Sequence, residues 1–127
     1  EMVRSAPSKL YIATAAVTDD EMAERVRRHR ADRGPSWRTI EAPTELCVVL
    51  ERETRTNEPV VVDCLTTWVT NLMLADPTRA EEAVLRNVSR LVETLKTLPA
   101  PVVLITVPAQ RRLGVQQERP LGTRTLS

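Results

Sequence analysis

Three stretches of the chain are continuously apolar instead of alternating between apolar and polar residues. They read KLYIATAAV at 9–17, PVVVDCL at 59–65 and PVVLITV at 101–107. A strand that is covered on both faces has this pattern, whereas a strand with one wet face alternates. The pattern therefore predicts an α/β domain in which a mostly parallel sheet carries helices on both sides.

The segment after the first run carries the signals of a helix. Thr18 is placed to cap it, and Glu21, three residues on, completes a capping box. The acidic residues at 19–20 complement the positive end of the helix dipole. A glycine-proline pair at 34–35 predicts that the helix ends at about Arg33.

The rest of the chain continues the same alternation of elements. A short extended piece is expected at 37–43, a helix at 44–54 and another at 66–75. Asp76 and Pro77 offer an N-cap followed by a proline at the first helical position, so a long helix should start there and run to Pro99. The apolar positions that give this helix its period are Ala80, Val84, Val88, Leu91 and Leu95.

Composition and charge narrow the class of protein. The chain has 127 residues, 42% apolar and 28% charged, which is typical of one globular domain with a single core. Its 18 basic and 17 acidic residues nearly cancel, and its only aromatic residues are Tyr11, Trp37 and Trp68. An arginine-rich RNA-binding module is disfavoured, because it needs a basic field and stacking platforms.

The cysteines and the lengths of the apolar runs indicate in which cellular compartment the protein is located. Cys47 and Cys64 form no C-x-x-C pair, and with one histidine no tetrahedral zinc site can be built from Cys and His alone. We interpret them as buried reduced thiols. No apolar run approaches the ~18 residues that a membrane span needs. We therefore expect a cytoplasmic protein with neither a membrane span nor a nucleic-acid partner.

The only histidine, His29, lies in the arginine-rich stretch ERVRRHRADRG at 24–34. It follows Met22 and Val26 at helical spacing, so it lies at the end of the apolar stripe of its helix. The surrounding cations favour a neutral ring, which is the form that acts as a nucleophile. Its arginines could hold phosphates through bidentate contacts. Taken alone, the local pattern favours the plainer alternative, a histidine capping a solvated helix end.

Asp63 ends the apolar run VVVD, so a buried strand delivers a carboxylate at its carboxyl end. Ligands bind at that edge of open α/β sheets, and P-loop proteins hold magnesium with an acid at such a place. An Asp that caps the following turn is an equally good local interpretation. The three glycines, at positions 34, 114 and 122, allow no glycine-rich phosphate loop of the form G-x-x-x-x-G-K-[ST].

Several motifs occur in a fixed order between residues 6 and 106. They are LYIAT, DDEM, the R-x-x-x-H-x-x-x-R pattern around His29, WRT-x-E and D-C-L-T-T-x-V-T-N-L, followed by PVVLIT. In this order and spacing they resemble the bifunctional adenosylcobinamide kinase and adenosylcobinamide-phosphate guanylyltransferase family of cobalamin biosynthesis. The resemblance implies a P-loop-NTPase-like three-layer α/β fold with a mostly parallel sheet, assembled as a homotrimer.

The resemblance also implies an activity. A nucleoside triphosphate, GTP or ATP, phosphorylates adenosylcobinamide, and GMP is then transferred from GTP to adenosylcobinamide phosphate through a guanylylated histidine. His29 matches that histidine. Asp63 matches the acid that helps to hold Mg²⁺. The positions that match nucleotide contacts are Ala13, Thr14, Ala15, Arg30, Ala31, Asp32, Arg33, Glu41 and Asp63.

The chain also departs from the family pattern. The family has a loop of the form G-G-x-R-S-G-K-S before the matched region and N-E-V-G-x-G-I-V-P after PVVLIT, and neither occurs here. We therefore expect a chain truncated at both ends, with 1–107 an incomplete nucleotide-binding domain that lacks the first strand and P-loop, and 108–127 an irregular tail. Without the loop, phosphoryl transfer should be weak. The alternative is a catalytically inactive remnant that at most binds nucleotide or associates with intact subunits.

Overall fold

The structure is a computed structural model that describes residues 8–16 and 20–106, without the side chain of His29. Strands and helices alternate along the chain as the apolar pattern predicts. In order they are β1 (Lys9–Ala13), α1 (Asp20–Arg33), β2 (Trp37–Glu41), α2 (Leu46–Glu53), β3 (Val60–Asp63), α3 (Leu65–Ala75), a 3₁₀ turn (Pro77–Arg79), α4 (Ala80–Thr97) and β4 (Val102–Ile105).

The four strands form one sheet in the order β2-β1-β3-β4, and every pair is parallel. The predicted parallel α/β sheet is thus confirmed. The piece at 37–43, expected only as extended, is a full strand over Trp37–Glu41 that pairs along the whole of β1. Because side chains alternate across a strand, the register places each residue on one of two faces.

One face of the sheet, which we call the three-helix face, carries the core. Leu10 and Ile12 of β1 and Val60 and Val62 of β3 are fully buried there. The residues that α2, α3 and α4 pack against them are Leu46, Cys47, Leu50, Trp68, Leu72 and Leu91. Burial of these apolar side chains is the main stabilising contribution to the fold.

The opposite face, which we call the α1 face, is covered by α1. It presents Tyr11 and Ala13 of β1, Thr39 of β2, and Val61 and Asp63 of β3, as the register requires. The two faces together give the predicted three layers. The sheet residues of the three-helix face are apolar apart from Arg38 at its rim, whereas the α1 face carries several polar and aromatic side chains.

At β4 the prediction of strands buried on both faces is wrong. Its residues alternate, and Val103 and Ile105 on the α1 face are 43% and 37% exposed. The reason is that β4 is an edge strand of the sheet. The helix that covers this face, α1, lies over β1 and β2 instead, where its Arg33 contacts Tyr11 and Thr39. A continuous apolar run therefore predicted a strand correctly but its coverage incorrectly.

The helix boundaries confirm some predicted signals and correct others. Helix α1 ends at Arg33, and Gly34 adopts a positive φ of 88°, a conformation that favours glycine, just past the helix end. The predicted cap Thr18 lies outside the described residues. Asp76 and Pro77 hold the predicted N-cap and first helical positions, but of a 3₁₀ turn, and the Asp76 side chain makes no capping hydrogen bond. The long helix α4 begins only at Ala80.

Most of the predicted stripe of α4 is confirmed, because Leu91 is buried and Val84 and Leu95 pack against the core. The prediction is wrong for Val88, which is exposed, and it omitted Ala83 and Thr94, which are buried. Thr94 is tolerated in the interior because its hydroxyl donates a hydrogen bond to the Glu51 carboxylate at 2.7 Å. The polar partner, which lies on another helix, could not be read from the period of α4 alone.

The remaining predictions concern the cysteines, membrane spans and the tail. Cys47 and Cys64 are free and buried, as predicted. Burial raises the pKa of the Cys47 thiol, so this thiol is poorly reactive. Across the described residues, no helix combines the length and apolarity that crossing a bilayer requires. The predicted tail at 108–127 lies outside the described residues.

Candidate functional site

A cleft of about 230 Å³ lies between α1 and the carboxyl ends of β1 and β3. Met22 and Val26 of α1 form part of its wall, and Arg33 of the same helix lines it as well. Asp63 enters from the end of β3. The cleft therefore lies at the edge where open parallel sheets bind ligands.

Tyr11 lies between Arg33 and Asp63, a cationic and an anionic side chain that both line this cleft. The guanidinium carbon of Arg33 lies 3.6 Å from the centre of the Tyr11 ring, in a cation–π contact. The Tyr11 hydroxyl donates a hydrogen bond to Oδ2 of Asp63. Burial first, and then this hydrogen bond to Asp63, raise the pKa of Tyr11 well above its usual value, so the hydroxyl stays protonated at neutral pH.

The arginines of α1 divide into two groups. Arg25, Arg27 and Arg28 pair with Glu21 or Glu24 along the exposed side of the helix. Such exposed pairs contribute little to stability.

The two arginines of the last turn of α1 reach toward β2 instead. Nη2 of Arg33 donates to the Thr39 hydroxyl at 3.2 Å, and Nη2 of Arg30 lies 3.4 Å from the Thr39 carbonyl oxygen. Nε of Arg33 is buried and has no hydrogen-bond partner among the described residues. Of these two arginines, only Arg33 lines the cleft, whereas Arg30 lies outside its lining. Arg25, although it is paired with Glu21, also contributes to the wall of the cleft.

The loops that follow β1, β2 and β3 are tied together beneath the cleft. The Thr14 hydroxyl accepts from the Cys64 N–H and donates to the Cys64 carbonyl, both at 2.8 Å. The side-chain amide of Asn71 donates to the Thr14 carbonyl at 2.8 Å and to the Pro43 carbonyl at 3.1 Å. These bonds explain a polar residue in the apolar helix α3, because Asn71 supplies partners to buried loop carbonyls.

Cys64, directly after Asp63, is the N-cap residue of α3. Its sulfur accepts a hydrogen bond from the Thr67 N–H at 3.4 Å, which caps the first turn of the helix. The Thr14 N–H donates to the Asp63 carbonyl at 3.0 Å. The backbone on both sides of the Asp63 carboxylate is therefore held, and the carboxylate has a defined position in the cleft.

The cleft brings together only some of the predicted site residues. Ala13, Ala15, Arg33 and Asp63 line it. Thr14 is fully buried below, with its hydroxyl used in the loop contacts. The remaining predicted contacts, Arg30, Ala31, Asp32 and Glu41, are exposed and lie outside its lining.

The prediction for His29 concerns a side chain outside the described part of the structure. Its backbone belongs to α1, between the paired arginines and Arg33.

Sequence reasoning missed Tyr11, Thr39 and Asn71. The signal for Tyr11 was present, since an aromatic residue in an aliphatic strand, two residues before Ala13, must share its face. No sequence signal could place Thr39 beside the arginines, because that contact depends on the register of β2 against β1.

The donors in the cleft suit a magnesium ion held jointly with phosphates. Mg²⁺ typically takes one or two carboxylates and completes its shell with water and substrate phosphate oxygens. Asp63 supplies one carboxylate, and only its Oδ2 is used by Tyr11. Within the described residues, no group of three or more His, Cys, Asp or Glu side chains is placed to hold a metal on its own. The residues therefore fit a metal brought with a nucleotide.

Comparison with known proteins identifies relatives of this chain. Residues 1–124 match the family described as cobinamide kinase / cobinamide phosphate guanyltransferase. The bifunctional adenosylcobalamin biosynthesis protein CobP of Pseudomonas aeruginosa is 40% identical over 112 residues, covering 88% of this chain and 60% of the relative. The CobU proteins of Escherichia coli and Salmonella typhimurium are 37% and 34% identical, covering 76% and 83% of this chain and 59% and 64% of the relatives.

The chain thus spans about three fifths of the length of the curated relatives it matches. The family match extends over nearly the whole of this chain, and the parallel sheet and the cleft at its carboxyl edge lie within the matched residues. The chain belongs to the cobinamide kinase / cobinamide phosphate guanyltransferase family.

Proposed function

We propose that this chain is part of an adenosylcobinamide kinase / adenosylcobinamide-phosphate guanylyltransferase and that its cleft holds the phosphates of GTP. The observation that carries the proposal is the position of Arg33 and Asp63 in one cleft, at the carboxyl edge of a parallel sheet and beside the helix that contains His29. The cationic side chains of Arg25 and Arg33 and the carboxylate of Asp63, which all line the cleft, suit a phosphate chain with a bound divalent cation.

Each residue has a physical role in this proposal. Arg33 and Arg30 neutralise phosphate charge, while Asp63 helps to hold Mg²⁺, which when bound offsets the charge of the triphosphate. Glu41, at the end of β2 and beside Ala13 in register, accepts hydrogen bonds from the guanine or ribose. Thr14, although matched as a nucleotide contact, acts through the loops that its hydroxyl holds in place.

His29 is the proposed nucleophile. A neutral ring nitrogen attacks the α-phosphorus of GTP, a nitrogen–phosphorus bond forms, and the bond to the leaving pyrophosphate oxygen breaks. A phosphate oxygen of adenosylcobinamide phosphate then attacks the same phosphorus and releases the histidine. ATP or GTP serving in the kinase step, a cytoplasmic location and assembly as a homotrimer belong to the same proposal.

A chimera tests the guanylylation step. The P. aeruginosa relative keeps its own residues outside the matched region and takes the residues of this chain inside it. The chimera is incubated with Mg²⁺ and GTP labelled at the α-phosphate and is then denatured. We expect a covalent label that acid removes, because a phosphoramidate is acid-labile, and we expect none with His29→Ala.

The matched control is Arg27→Ala, which changes an exposed neighbour that pairs with Glu24 on the helix surface. This variant should label as the parent chimera does. Label retained after His29→Ala would remove His29 from the nucleophile role. The 127-residue chain should label weakly or not at all in the same assay, since it contains no glycine-rich phosphate loop.

A further inference from the structure

Opposite charges line the same cleft without pairing with each other. Arg33 and Asp63 both contribute to its wall. Neither takes part in an ion pair within 4.0 Å anywhere in the described residues, although eight such pairs form elsewhere. A guanidinium and a carboxylate in a partly buried cleft attract each other strongly. Some part of the structure must therefore keep them apart.

The group between them is the side chain of Tyr11. Arg33 rests on the face of its ring, with the guanidinium carbon 3.6 Å from the ring centre, and Asp63 accepts a hydrogen bond from its hydroxyl. The Thr39 hydroxyl takes a further N–H of Arg33 at 3.2 Å. Each charge is thus stabilised by neutral groups and keeps most of its capacity to bind a ligand.

The ring of Tyr11 is itself held in place. Its strand, β1, lies between β2 and β3 and pairs with both. The ring of Trp37 packs against it edge to face, with centroids 6.0 Å apart and planes at 81°. A ring fixed from the backbone and from its side cannot turn away to let Arg33 reach Asp63.

We propose that Tyr11 is a positioning residue that keeps Arg33 and Asp63 from pairing, so that the cleft presents a free cation and a free carboxylate to a polyphosphate–divalent metal complex. The ligand class rests on the proposed function. The physical advantage is preorganisation: an Arg33–Asp63 pair would have to be broken before either group could bind phosphate or metal.

The separation itself is tested without any ligand. A double-mutant cycle of Arg33→Gln and Asp63→Asn is measured by urea unfolding of the 127-residue chain, first with Tyr11 in place and then in the Tyr11→Leu background. We expect no stabilising coupling between the two charges with Tyr11 in place, and a clear stabilising coupling after Tyr11→Leu. Stabilising coupling with Tyr11 in place contradicts the proposal, even if Tyr11→Leu does not fold.

A binding assay distinguishes the contribution of the Tyr11 ring from that of its hydroxyl. The parent chain and its variants are titrated with tripolyphosphate in the presence of Mn²⁺, and bound Mn²⁺ is followed by electron paramagnetic resonance. Tyr11→Phe keeps the ring, so binding should stay within about twofold of the parent, whereas Tyr11→Leu should weaken it by about tenfold or more. Equal losses in the two variants would assign the effect to the hydroxyl and overturn the role of the ring.

The control is Val61→Ala, because Val61 neighbours Tyr11 on the same face but lies outside the lining of the cleft. This variant should lose stability and bind as the parent does. A parent chain that binds neither Mn²⁺ nor tripolyphosphate would contradict the proposed ligand of the cleft. The double-mutant cycle would still report whether Tyr11 separates the two charges, so the two failures are distinguishable.

Discussion

Arg38 and Arg33 lie on opposite faces of the same sheet, and the fold treats them differently. Arg38, on the rim of the three-helix face, donates to Glu58 at 2.7 and 3.0 Å and to the carboxylate and backbone carbonyl of Glu53 at 3.3 and 2.8 Å. Arg33, on the α1 face, makes no ion pair among the described residues and lies on the ring of Tyr11. The hydrogen bonds of Arg38 are thus taken up by contacts within the fold, whereas the guanidinium of Arg33 is still able to bind an anion.

The difference extends to the faces as wholes. The three-helix face is an apolar core whose charged rim is paired. The α1 face combines an aromatic ring, a carboxylate and a cation in a cleft. Stability should therefore depend mainly on the first face and ligand binding on the second. Four measurements of stability or titration compare the two faces and the loops beneath the cleft.

The largest change in the free energy of unfolding should come from substituting the two tryptophans, which lie on opposite faces of the sheet. Trp68 is almost completely buried, and its ring N–H donates to the Thr44 carbonyl at 3.1 Å. Trp68→Ala should lower the free energy of unfolding by about 3–5 kcal/mol. Trp37→Ala should lower it by about 1–2 kcal/mol, because a half-buried ring loses mainly its contacts with Tyr11 and Lys9. Urea unfolding measures both, and equal losses would contradict the division.

The second effect concerns the loop contacts beneath the cleft. Thr14→Val keeps the shape of the side chain but leaves the buried N–H and carbonyl of Cys64 without their side-chain partner. We expect a loss of about 1–3 kcal/mol in the free energy of unfolding. Thr78→Val, at an exposed position, should change it by less than about 0.5 kcal/mol. A neutral Thr14→Val would show that the loops are held by other contacts.

The third effect is a dependence of stability on pH. The Arg38 hydrogen bonds first, and then the Ser8 hydroxyl, lower the pKa of Glu58 despite its burial. A lowered pKa in the folded state gives stability that is present above the usual glutamate pKa of about 4.3 and is lost as the pH falls through the folded-state value.

Glu58→Gln should therefore be less stable than the parent at neutral pH, and the difference should shrink in acid. Glu93→Gln is the control, since its carboxylate forms an exposed pair with Lys96 that contributes little. Unfolding midpoints across an acid pH series measure both variants. A Glu58→Gln difference that stays constant with pH would show that the carboxylate charge is not what stabilises this rim.

The smallest effect concerns Tyr11, which is the only tyrosine and so gives an unambiguous optical titration. Its raised pKa means that the folded state favours the protonated phenol, so this contribution to stability is complete below about pH 10 and is lost above it. In the folded chain we expect no tyrosinate absorbance near pH 10. Asp63→Asn should lower the midpoint of the Tyr11 titration only in part, because burial contributes more than the Asp63 hydrogen bond to the raised pKa of Tyr11. Ordinary titration in the parent would indicate an exposed hydroxyl.

Much of the architecture followed from local patterns. The runs around Leu10, Val61 and Val103 predicted three of the strands, and the glycine at 34 predicted the end of α1. These predictions succeed because the burial of a strand and the left-handed residue that ends a helix both depend on the residue types of a short continuous segment. The fourth strand was only half recognised, since WRTIE becomes a strand by pairing with β1.

The site was less predictable than the fold. Asp63 was found because a strand that ends in a carboxylate is a local feature, and Arg33 was found through the family motif. Their relation to Tyr11 was not found, because it depends on β1 lying next to β3 and on α1 returning over that face. The amide of Asn71 likewise acquires its role only when the loops after β1 and β2 approach α3.

The amino-acid order was therefore enough to establish the α/β class, the parallel sheet and the family, because periodicity and motif spacing are properties of neighbouring residues. Tertiary structure alone decided which arginine is paired and which is not. Arg38 and Arg33 are chemically identical, and the choice of a glutamate or a tyrosine as partner is made by strand register and helix position. Those contacts join residues that are far apart in the chain, so no local pattern records them.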